Sequence, residues 1–395
     1  MRITWVTRSF LDYRVPVYRE LDKLCGGNLT VIYYKDVPPM RAQNKLKEVL
    51  GERAIAREYE LRIGNKPKID NASKGNTSFR IPLSPGLIKQ VIQTKPDVII
   101  SDGFMQWTYA ALAVRALKHI PHVMCYERTA HTERKAGKIR LAYRKFVSKW
   151  IDAIDCNGRL CGEYVRSLGF DGDRLTNGHM VADVTGMSEA IQQVDDLSLQ
   201  RLKLKLSNDG KKVVLLFVGQ LIVRKGVEEL LSAWAKFQQE AKGQEATLVY
   251  VGSGDLEETL RKRIENEHIP NVVLTGAIDY DSIAQYYKAA DCFILPTVED
   301  NWSLVVPEAM ACGLPIATTI YNGCYPELVT KDNGWVFDTF NETSMIKSLN
   351  DIVAKRSNLP AMGEVSKQIV SSHTAENAAQ SIMDAIRIAQ KHCKR

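Results

Sequence analysis

Three carboxylates and an amide stand in and just after a polar turn in the second half of the chain. Glu299, Asp300 and Asn301 follow an apolar strand pattern, and Glu308 falls near the start of a helical pattern that begins at Leu304. The first N–H groups of a helix are unpaired, and the helix dipole favours negative charge there. Carboxylates that converge with such N–H groups suit a polyhydroxylated ligand that carries phosphate. The stretch therefore predicts a nucleotide-sugar site.

A second candidate is the segment Phe217–Val227, which has the pattern of a strand, a short loop and a helix start. Gly219 permits a tight turn, and Gly226 is expected to let the backbone approach a ligand closely. Arg224 and Lys225 stand before the predicted helix, where positive charge opposes the helix dipole unless an anion is bound. A diphosphate would meet two basic side chains and free N–H groups there. Taken alone, the pattern is more typical of a surface-exposed basic loop.

The composition is that of a globular protein with two domains. The chain has 395 residues, of which 45% are apolar and 25% charged. Its eight cysteines are scattered, which favours a reducing compartment over a disulfide framework or a structural zinc site. The N-terminus predicts a strand rather than a signal peptide, and no run of about 18 apolar residues predicts a membrane span. We therefore expect a cytoplasmic protein.

The net charge of +7 is concentrated in one segment, residues 134–150. Seven basic residues and no acidic residue occur there: Arg134, Lys135, Lys138, Arg140, Arg144, Lys145 and Lys149. Ile139 and Phe146 interleave with them, as in a helix that lies at a membrane interface, but the same pattern suits docking on the protein's own core or a solvated helix face. The segment suggests peripheral contact with anionic lipid on the inner face of the plasma membrane, or with acceptor phosphates. Nucleic acid is not a predicted partner.

The elements that must position these residues alternate between strand and helix. In the first half, strands are predicted at Ile3–Thr7, Leu29–Tyr34, Asp97–Ser101, His122–Tyr126 and Ile151–Cys156, and Lys45–Gly75 is the least decipherable region. The periodic pattern lapses around Met180–Asp196, and a second alternation begins at the strand Val213–Val218. This rhythm predicts parallel sheets covered by helices on both faces, with ligands at the carboxyl ends of the strands. The predicted fold class is α/β with two Rossmann-like domains that face each other across a cleft.

The spaced motifs of the second half resemble those of the retaining, GT-B-fold glycosyltransferases of family four. In that family a strand ends in Gly-Arg-Leu with Lys-Gly a few residues on, and a Glu, seven residues and another Glu lead into Ala-Met-Ala-Cys-Gly-x-Pro. The segments Gly219–Gly226 and Asp300–Pro315 match these two patterns, and Asn322–Val329 and Thr176–Asp183 resemble two further elements of the family. The resemblance implies an acceptor-side domain over 1–184, with a C-terminal helix 374–395 packed back on it, and a donor-binding domain over 185–373.

By this resemblance, Glu308 binds the ribose hydroxyls of the donor and Lys225 holds its diphosphate. The first acid of the motif contacts the donor sugar, but it is Asp300 here rather than Glu, with Glu299 beside it, so either carboxylate can fill that role. The remaining residues expected to contact the donor are Gly219, Asn301, Trp302, Ser303 and Leu304. The arginine of Gly-Arg-Leu is replaced by Gln220, and Arg224 is the candidate substitute for its charge.

The first half resembles the family less closely. Its segment after the first strand, Ser9–Pro16, has no glycine, although many relatives carry a glycine-rich loop there. Relatives also place a histidine near the reacting sugar, just after the fourth strand. Here the strand His122–Tyr126 is followed by Glu127 and, four residues later, by His131. Both are candidates, and Glu127 is favoured because strand ends line such sites.

The resemblance implies transfer of a sugar from a UDP- or GDP-linked donor to a glycan or lipid-linked acceptor, with retention at the anomeric carbon and no metal or other cofactor. Polysaccharide or glycoconjugate biosynthesis is the expected setting. Three alternatives remain: a nucleotide-sugar epimerase, another GT-B enzyme such as a phosphorylase, and a non-catalytic sugar-binding or scaffold protein. A nicotinamide dehydrogenase is disfavoured because the Gly-x-Gly-x-x-Gly fingerprint is missing. The replacements at Gln220 and Asp300 lend the scaffold alternative its weight.

Overall fold

The computed structural model describes residues 1–64, 80–104, 107–207 and 211–393. The chain divides into two compact units. Unit 1 contains Met1–Val181 together with the C-terminal segment that begins at Thr374, and unit 2 contains Ala182–His373.

The described strands are β1 Ile3–Val6, β2 Leu29–Tyr34, β3 Ala54–Arg57, β4 Leu61–Gly64, β5 Arg80–Leu83, β6 Val98–Asp102, β7 His122–Tyr126, β8 Ala153–Cys156, β9 Leu175–Asn177, β10 Val213–Val218, β11 Ala246–Val251, β12 Val272–Leu274, β13 Cys292–Leu295, β14 Ile316–Thr319 and β15 Gly334–Phe337.

The described α-helices are α1 Arg14–Leu24, α2 Met40–Leu50, α3 Leu87–Gln93, α4 Thr108–Lys118, α5 Lys138–Val147, α6 Arg159–Ser167, α7 Val184–Gln192, α8 Asp196–Ser207, α9 Val227–Phe237, α10 Glu257–Asn266, α11 Tyr280–Ala289, α12 Val305–Ala311, α13 Tyr325–Leu328, α14 Glu342–Ala354, α15 Leu359–Val370 and α16 Ala375–Cys393.

Unit 1 is built on a seven-stranded parallel sheet in the order β3-β2-β1-β6-β7-β8-β9. The inner strands β1, β7 and β8 are buried along their whole length, as expected of a parallel sheet with helices on both faces. The α16 helix packs against α1, β8 and β9 and places Ala379, Ile382 and Ile386 in the core of this unit. The strands β1, β6 and β7 are neighbours, so the residues at their carboxyl ends lie at one edge of the sheet.

Unit 2 repeats the architecture with a six-stranded parallel sheet in the order β12-β11-β10-β13-β14-β15. All six residues of the central strand β10 are buried. The switch in strand order lies between β10 and β13, which is where parallel α/β sheets bind ligands. The predicted α/β class with two Rossmann-like domains is confirmed.

Two parts of the sequence form structure that the periodicity does not predict. Within the poorly decipherable region 45–75, the structure has the end of α2, the strand β3 and the strand β4, which pairs with β5 in an antiparallel hairpin; residues 65–75 lie outside the described part of the chain. Around Met180–Asp196, where a lapse was expected, α7 is capped by the Asp183 side chain, which accepts from the Gly186 N–H group. The expectation fails because α7 is short and buries only Met187, so its apolar stripe is too weak to read.

Candidate functional site

The basic loop of unit 2 connects β10 to α9 through a 3-10 turn at Val223–Lys225. Gly226 ends this turn with a φ of +68°, a conformation that favours glycine, and a Cβ atom there would collide with the carbonyl oxygen of Pro296. The close neighbour of Gly226 in the structure is the protein's own chain after β13, and the expectation that Gly226 also lets the backbone approach a ligand stays a prediction. The consequence of this contact is that Arg224 and Lys225 are fixed against the end of β13.

A second backbone contact fixes the acidic turn. The N–H group of Asp300 donates to the carbonyl of Tyr321 at 3.3 Å, and the N–H group of Gly323 donates to the carbonyl of Asp300 at 3.0 Å. A side chain at position 323 would collide with the Asn301 carbonyl oxygen, so only glycine allows this approach. The turn that follows β14 therefore braces the turn that follows β13.

These two loops meet in an ion pair between Lys225 and Asp300. The Lys225 Nζ atom lies 2.5 Å from Asp300 Oδ2, and Arg224 Nη1 lies 3.9 Å from Asp300 Oδ1. Only 10% of the Asp300 side chain and 13% of the Lys225 side chain are exposed. Burial alone would raise the pKa of Asp300, but Lys225 and then Arg224 hold that pKa below its ordinary value. The turn carboxylate is therefore ionised and paired.

The other candidates from the acidic turn differ in their surroundings. Glu299 is partly buried, and its backbone carbonyl accepts from Arg224 Nη1 at 3.3 Å. Trp302 is buried, with its backbone N–H group 3.4 Å from Asp300 Oδ1, and Ser303 is buried as well. The structure thus gathers much of the turn around Asp300.

The remaining candidates near the two loops are more open. Asn301 and Leu304 are partly buried. Gly219 has a φ of +151° at the turn out of β10, and its N–H group donates to the Val251 carbonyl. Gln220 is exposed. Any role of these residues toward a ligand stays a prediction.

Glu308 lies in the first turn of α12 and is partly buried. Desolvation raises the pKa of Glu308 to about 7, and the nearby Asp183 carboxylate adds to the rise. The Tyr287 hydroxyl of α11 donates to Glu308 Oε2 at 3.3 Å and opposes it. Sequence reasoning did not include Tyr287 among the candidate site residues, because a tyrosine inside an apolar helix pattern carries no signal beyond core packing. At neutral pH, Glu308 is poised between a hydrogen-bond acceptor and a neutral acid.

In unit 1, Glu127 directly follows β7 and is partly buried, and its backbone carbonyl accepts from Asn157 Nδ2 at 3.0 Å. His131 lies in the next turn, which is closed by hydrogen bonds between Thr129 and Thr132. Glu127 is thus at the strand end, as predicted, whereas His131 is one turn removed from it.

The same sheet edge holds residues that were not among the predicted site residues. Asp102 ends β6, and its Oδ2 atom accepts from Trp5 Nε1 of β1 at 3.2 Å. The Arg14 guanidinium is buried 5.4 Å from the centre of the Trp5 ring. Burial raises the pKa of Tyr13, and the Glu127 and Asp102 carboxylates contribute to that rise, so these groups share one electrostatic neighbourhood. The available signal was that Asp102 directly follows the predicted strand Asp97–Ser101.

The basic segment 134–150 contains α5, and its charges divide between two faces. Glu133, which precedes the segment, pairs with Arg144 at 2.9 Å and lies 3.7 Å from Arg140. Glu133 therefore compensates part of the charge of this segment. The opposite face is exposed and carries Ile139 and Phe146, which are 87% and 58% exposed, among lysines 138, 145 and 149.

Within the described part of the chain, no helix combines the length and apolar character needed to cross a bilayer. No three side chains of His, Cys, Asp or Glu in those residues gather closely enough to hold a metal ion.

Two family profiles match the chain. Glycosyl transferases group 1 matches residues 200–369, and Glycosyltransferase Family 4 matches residues 40–176. Sulfoquinovosyl transferase SQD2 of Arabidopsis thaliana is 25% identical over 300 residues, which are 73% of this chain and 56% of the plant protein. The putative teichuronic acid biosynthesis glycosyltransferase TuaC of Bacillus subtilis is 26% identical over 346 residues, which are 82% of each chain. The chain thus spans little more than half the length of the plant relative.

The fold is also similar to solved structures. Anabaena Alr3699/HepE in complex with UDP aligns with a TM-score of 0.74 and 15% identity, covering 98% of this chain and 100% of that chain. The sucrose-phosphate synthase of Thermosynechococcus elongatus aligns with a TM-score of 0.65 and 16% identity, covering 98% of both chains. At this level of identity the likeness establishes the fold alone.

Proposed function

The chain belongs to the GT-B-fold glycosyltransferases of group 1, family four, and from this premise we propose that it transfers a sugar from a nucleoside-diphosphate donor to a hydroxyl of a glycan or lipid-linked acceptor, with retention at the anomeric carbon. The observation that carries the proposal is the meeting of Lys225, Arg224 and Asp300 beside the helix that bears Glu308. Cations and a hydroxyl-binding carboxylate are the two chemistries that a nucleotide sugar requires.

The donor interactions follow from these side chains. Lys225 and Arg224 would take the diphosphate, and Glu308 would accept hydrogen bonds from the ribose hydroxyls. UDP is the first candidate for the nucleotide because fold neighbours were solved with UDP and with UDP-glucose. GDP is the second, since a relative from Corynebacterium glutamicum is named as GDP-mannose-dependent.

The proposed reaction breaks the bond between the anomeric carbon and the diphosphate oxygen, and the electron pair stays on the departing phosphate. The acceptor oxygen bonds to the same face of the anomeric carbon, and its proton passes to the departing phosphate oxygen. Lys225 would stabilise the charge that develops on the leaving group. Glu127 is our choice to contact the reacting sugar or the acceptor, ahead of His131, because it stands at the strand end. Polysaccharide or glycoconjugate biosynthesis is the setting we propose.

The test is consumption of UDP- and GDP-sugars by the purified protein with membrane extract as the source of acceptor. Lys225→Ala should lower turnover by roughly 10²–10³-fold, and Glu308→Gln should weaken donor binding. Lys262→Ala is the matched control, because Lys262 is an exposed lysine of the same unit whose side chain is 67% accessible. Unchanged turnover in Lys225→Ala and Glu308→Gln would reject the site assignment.

The same assay separates the competing functions. Formation of a new sugar isomer from donor alone would identify an epimerase, whereas binding of a donor without consumption of any nucleotide sugar would favour a sugar-binding scaffold. Thermal-shift screening against a panel of nucleotide sugars comes first, because a tight ligand raises the apparent stability by mass action.

We also infer that the exposed face of α5 contacts anionic lipid, which would place the protein at the inner face of the plasma membrane. Ile139 and Phe146 are apolar and exposed, and the lysines at 138, 145 and 149 flank them. Each lysine near an anionic surface contributes about 1 kcal/mol to binding, and the two apolar side chains gain by entering the headgroup region. Arg140 and Arg144 of α5 pair with Glu133 on the opposite face, so the exposed face carries lysines rather than arginines.

Sedimentation with vesicles tests this contact. We expect binding to vesicles that contain phosphatidylglycerol and much weaker binding to phosphatidylcholine alone. The double variant Ile139→Asp, Phe146→Asp should lose it, and Leu117→Asp should not, because Leu117 is a comparably exposed apolar residue of the same unit. Equal sedimentation of the two variants would show that α5 is not the contact.

A further inference from the structure

The cation proposed to hold the donor diphosphate already has an anionic partner. Lys225 Nζ and Asp300 Oδ2 are 2.5 Å apart, and the backbone N–H group of Trp302 lies 3.4 Å from Asp300 Oδ1. This is the geometry of a strong charge-assisted hydrogen bond in a partly dehydrated site. Lys225 therefore cannot take a phosphate oxygen on the Asp300 side unless the carboxylate moves.

The charges show in which direction a bound diphosphate would shift the ion pair between Asp300 and Lys225. Two cations, Lys225 and Arg224, surround the single Asp300 carboxylate, so the cluster carries a net charge of +1. A diphosphate group adds at least two negative charges next to that carboxylate. Like charges placed side by side in a site of low polarity repel each other, and the repulsion is relieved when Asp300 turns away from Lys225.

The backbone around Asp300 is held in place, so any movement away from Lys225 must come from the Asp300 side chain. Asp300 is held by the Tyr321 carbonyl on one side and by the Gly323 N–H group on the other, so its main chain is fixed. Its side chain has only two rotatable bonds. Rotation about these two bonds is the movement that release of the carboxylate requires.

We propose that Asp300 is an exchangeable counter-ion of Lys225: the donor diphosphate displaces the carboxylate, which then accepts hydrogen bonds from hydroxyls of the donor sugar. This inference rests on the proposed function and assigns the sugar contact to Asp300 rather than to Glu299. A nucleoside diphosphate without sugar must break the ion pair and gains nothing for the freed carboxylate. An intact nucleotide sugar offers hydroxyls to the freed carboxylate and so offsets the loss of the ion pair. The exchange therefore favours binding of the nucleotide-sugar donor over the nucleoside-diphosphate product.

The alternative is a permanent brace, in which Asp300 always orients Lys225 and the phosphates bind beside the pair. The two arrangements predict opposite signs for one substitution. Removing the carboxylate tightens nucleoside-diphosphate binding if Asp300 competes with the ligand, and it weakens binding if Asp300 positions the lysine.

The experiment is calorimetric titration of the full chain with UDP, GDP, UDP-glucose and GDP-mannose. We expect Asp300→Asn to bind the nucleoside diphosphate at least roughly fivefold more tightly than the wild type. We also expect the preference for the nucleotide sugar over the free diphosphate to shrink by a similar factor. Glu258→Gln is the matched control, since it removes an exposed carboxylate of the same unit whose side chain is 68% accessible, and both affinities should stay within about twofold of the wild type.

Weaker or unchanged diphosphate binding by Asp300→Asn would overturn the exchange. Asp300→Ser provides a second variant without the carboxylate, and thermal melts establish that each variant is folded. If neither variant unfolds cooperatively, the pair is a structural brace, which also overturns the proposal. If the wild type binds none of the four ligands, the proposed donor site fails and the inference with it. Binding by the wild type without tightening in either variant refutes the exchange alone.

Discussion

The two sheets of the protein carry their polar groups in different ways. In unit 2, the loops after β10 and β13 join Lys225 to Asp300 in a close ion pair, and a glycine allows each loop to rest on a neighbouring backbone. In unit 1, Arg14 begins α1 and Asp102 ends β6, and Nη1 of Arg14 and Oδ1 of Asp102 have no hydrogen-bond partner among the described residues. The unit 2 edge therefore holds its carboxylate in a close ion pair with one cation in excess, whereas the charged groups Arg14 and Asp102 of unit 1 each keep a polar atom without a hydrogen-bond partner in the described part of the chain.

The difference explains what sequence reasoning can find. Asp300 and Glu308 are eight positions apart and stand between a strand and a helix start, so their local pattern alone indicates a polar site. Trp5 and Asp102 bond across 97 positions, and only the strand order places β1 beside β6. No spacing along the chain signals that contact.

The pairing of Lys225 with Asp300 lies between these two cases. These residues are 75 positions apart, and the resemblance to a known family, rather than any periodicity, suggested that both belong to one site. The ion pair itself was not predicted. Alternating strand and helix patterns predict the order of the elements along the chain, and the confirmed α/β class follows from that order. Side-chain contacts across the sheet cannot be predicted in this way, because they depend on strand register and loop geometry.

The largest expected effect tests whether the unit 2 loops depend on close backbone approach. Gly226→Ala should lower the free energy of unfolding by about 3 kcal/mol, because the φ of +68° is strained for alanine and the new methyl group meets the Pro296 carbonyl. Differential scanning calorimetry, in which the two units can unfold separately, measures the loss.

Gly27→Ala in unit 1 is the matched control for that substitution. Gly27 has a similar φ of +73°, but nothing lies within 4 Å of a Cβ atom built there, so only the conformational cost of about 1 kcal/mol is expected. Equal losses in the two variants would break the contrast, since backbone strain alone would then account for both.

A smaller effect tests whether the unit 1 edge serves a different step. Glu127→Gln should lower turnover by roughly 10–100-fold and leave the affinity for the nucleotide sugar unchanged, because the donor groups belong to unit 2. Steady-state kinetics and donor titration measure the two quantities separately. Glu163→Gln is the control, as that carboxylate is exposed on α6 and pairs only with Arg159 among described residues. A parallel loss of donor affinity in Glu127→Gln would assign Glu127 to the donor instead.

The smallest effect concerns Glu308, a unit 2 carboxylate whose pKa is shifted by burial, Tyr287 and Asp183 rather than by a cation. Desolvation raises the pKa of Glu308 to about 7, so this group is mostly ionised at pH 8 and mostly protonated at pH 6. If the carboxylate form accepts the ribose hydroxyls, donor affinity should fall by up to roughly tenfold from pH 8 to pH 6. A nucleotide sugar is the right probe, because its diphosphate is esterified at both ends and has no proton to gain in this range.

Substitutions at and beside Glu308 identify the titrating group. Glu308→Gln should bind the donor more weakly and with no pH dependence between 6 and 8. The Tyr287 hydroxyl donates to Glu308 and lowers its pKa, so Tyr287→Phe should move the midpoint of the affinity profile to higher pH. A midpoint that stays in place in Tyr287→Phe, or a pH dependence that survives in Glu308→Gln, would mean that another group titrates. Asp300 would not be that group, because Lys225 and Arg224 keep its pKa below the ordinary value and hold it ionised throughout this range.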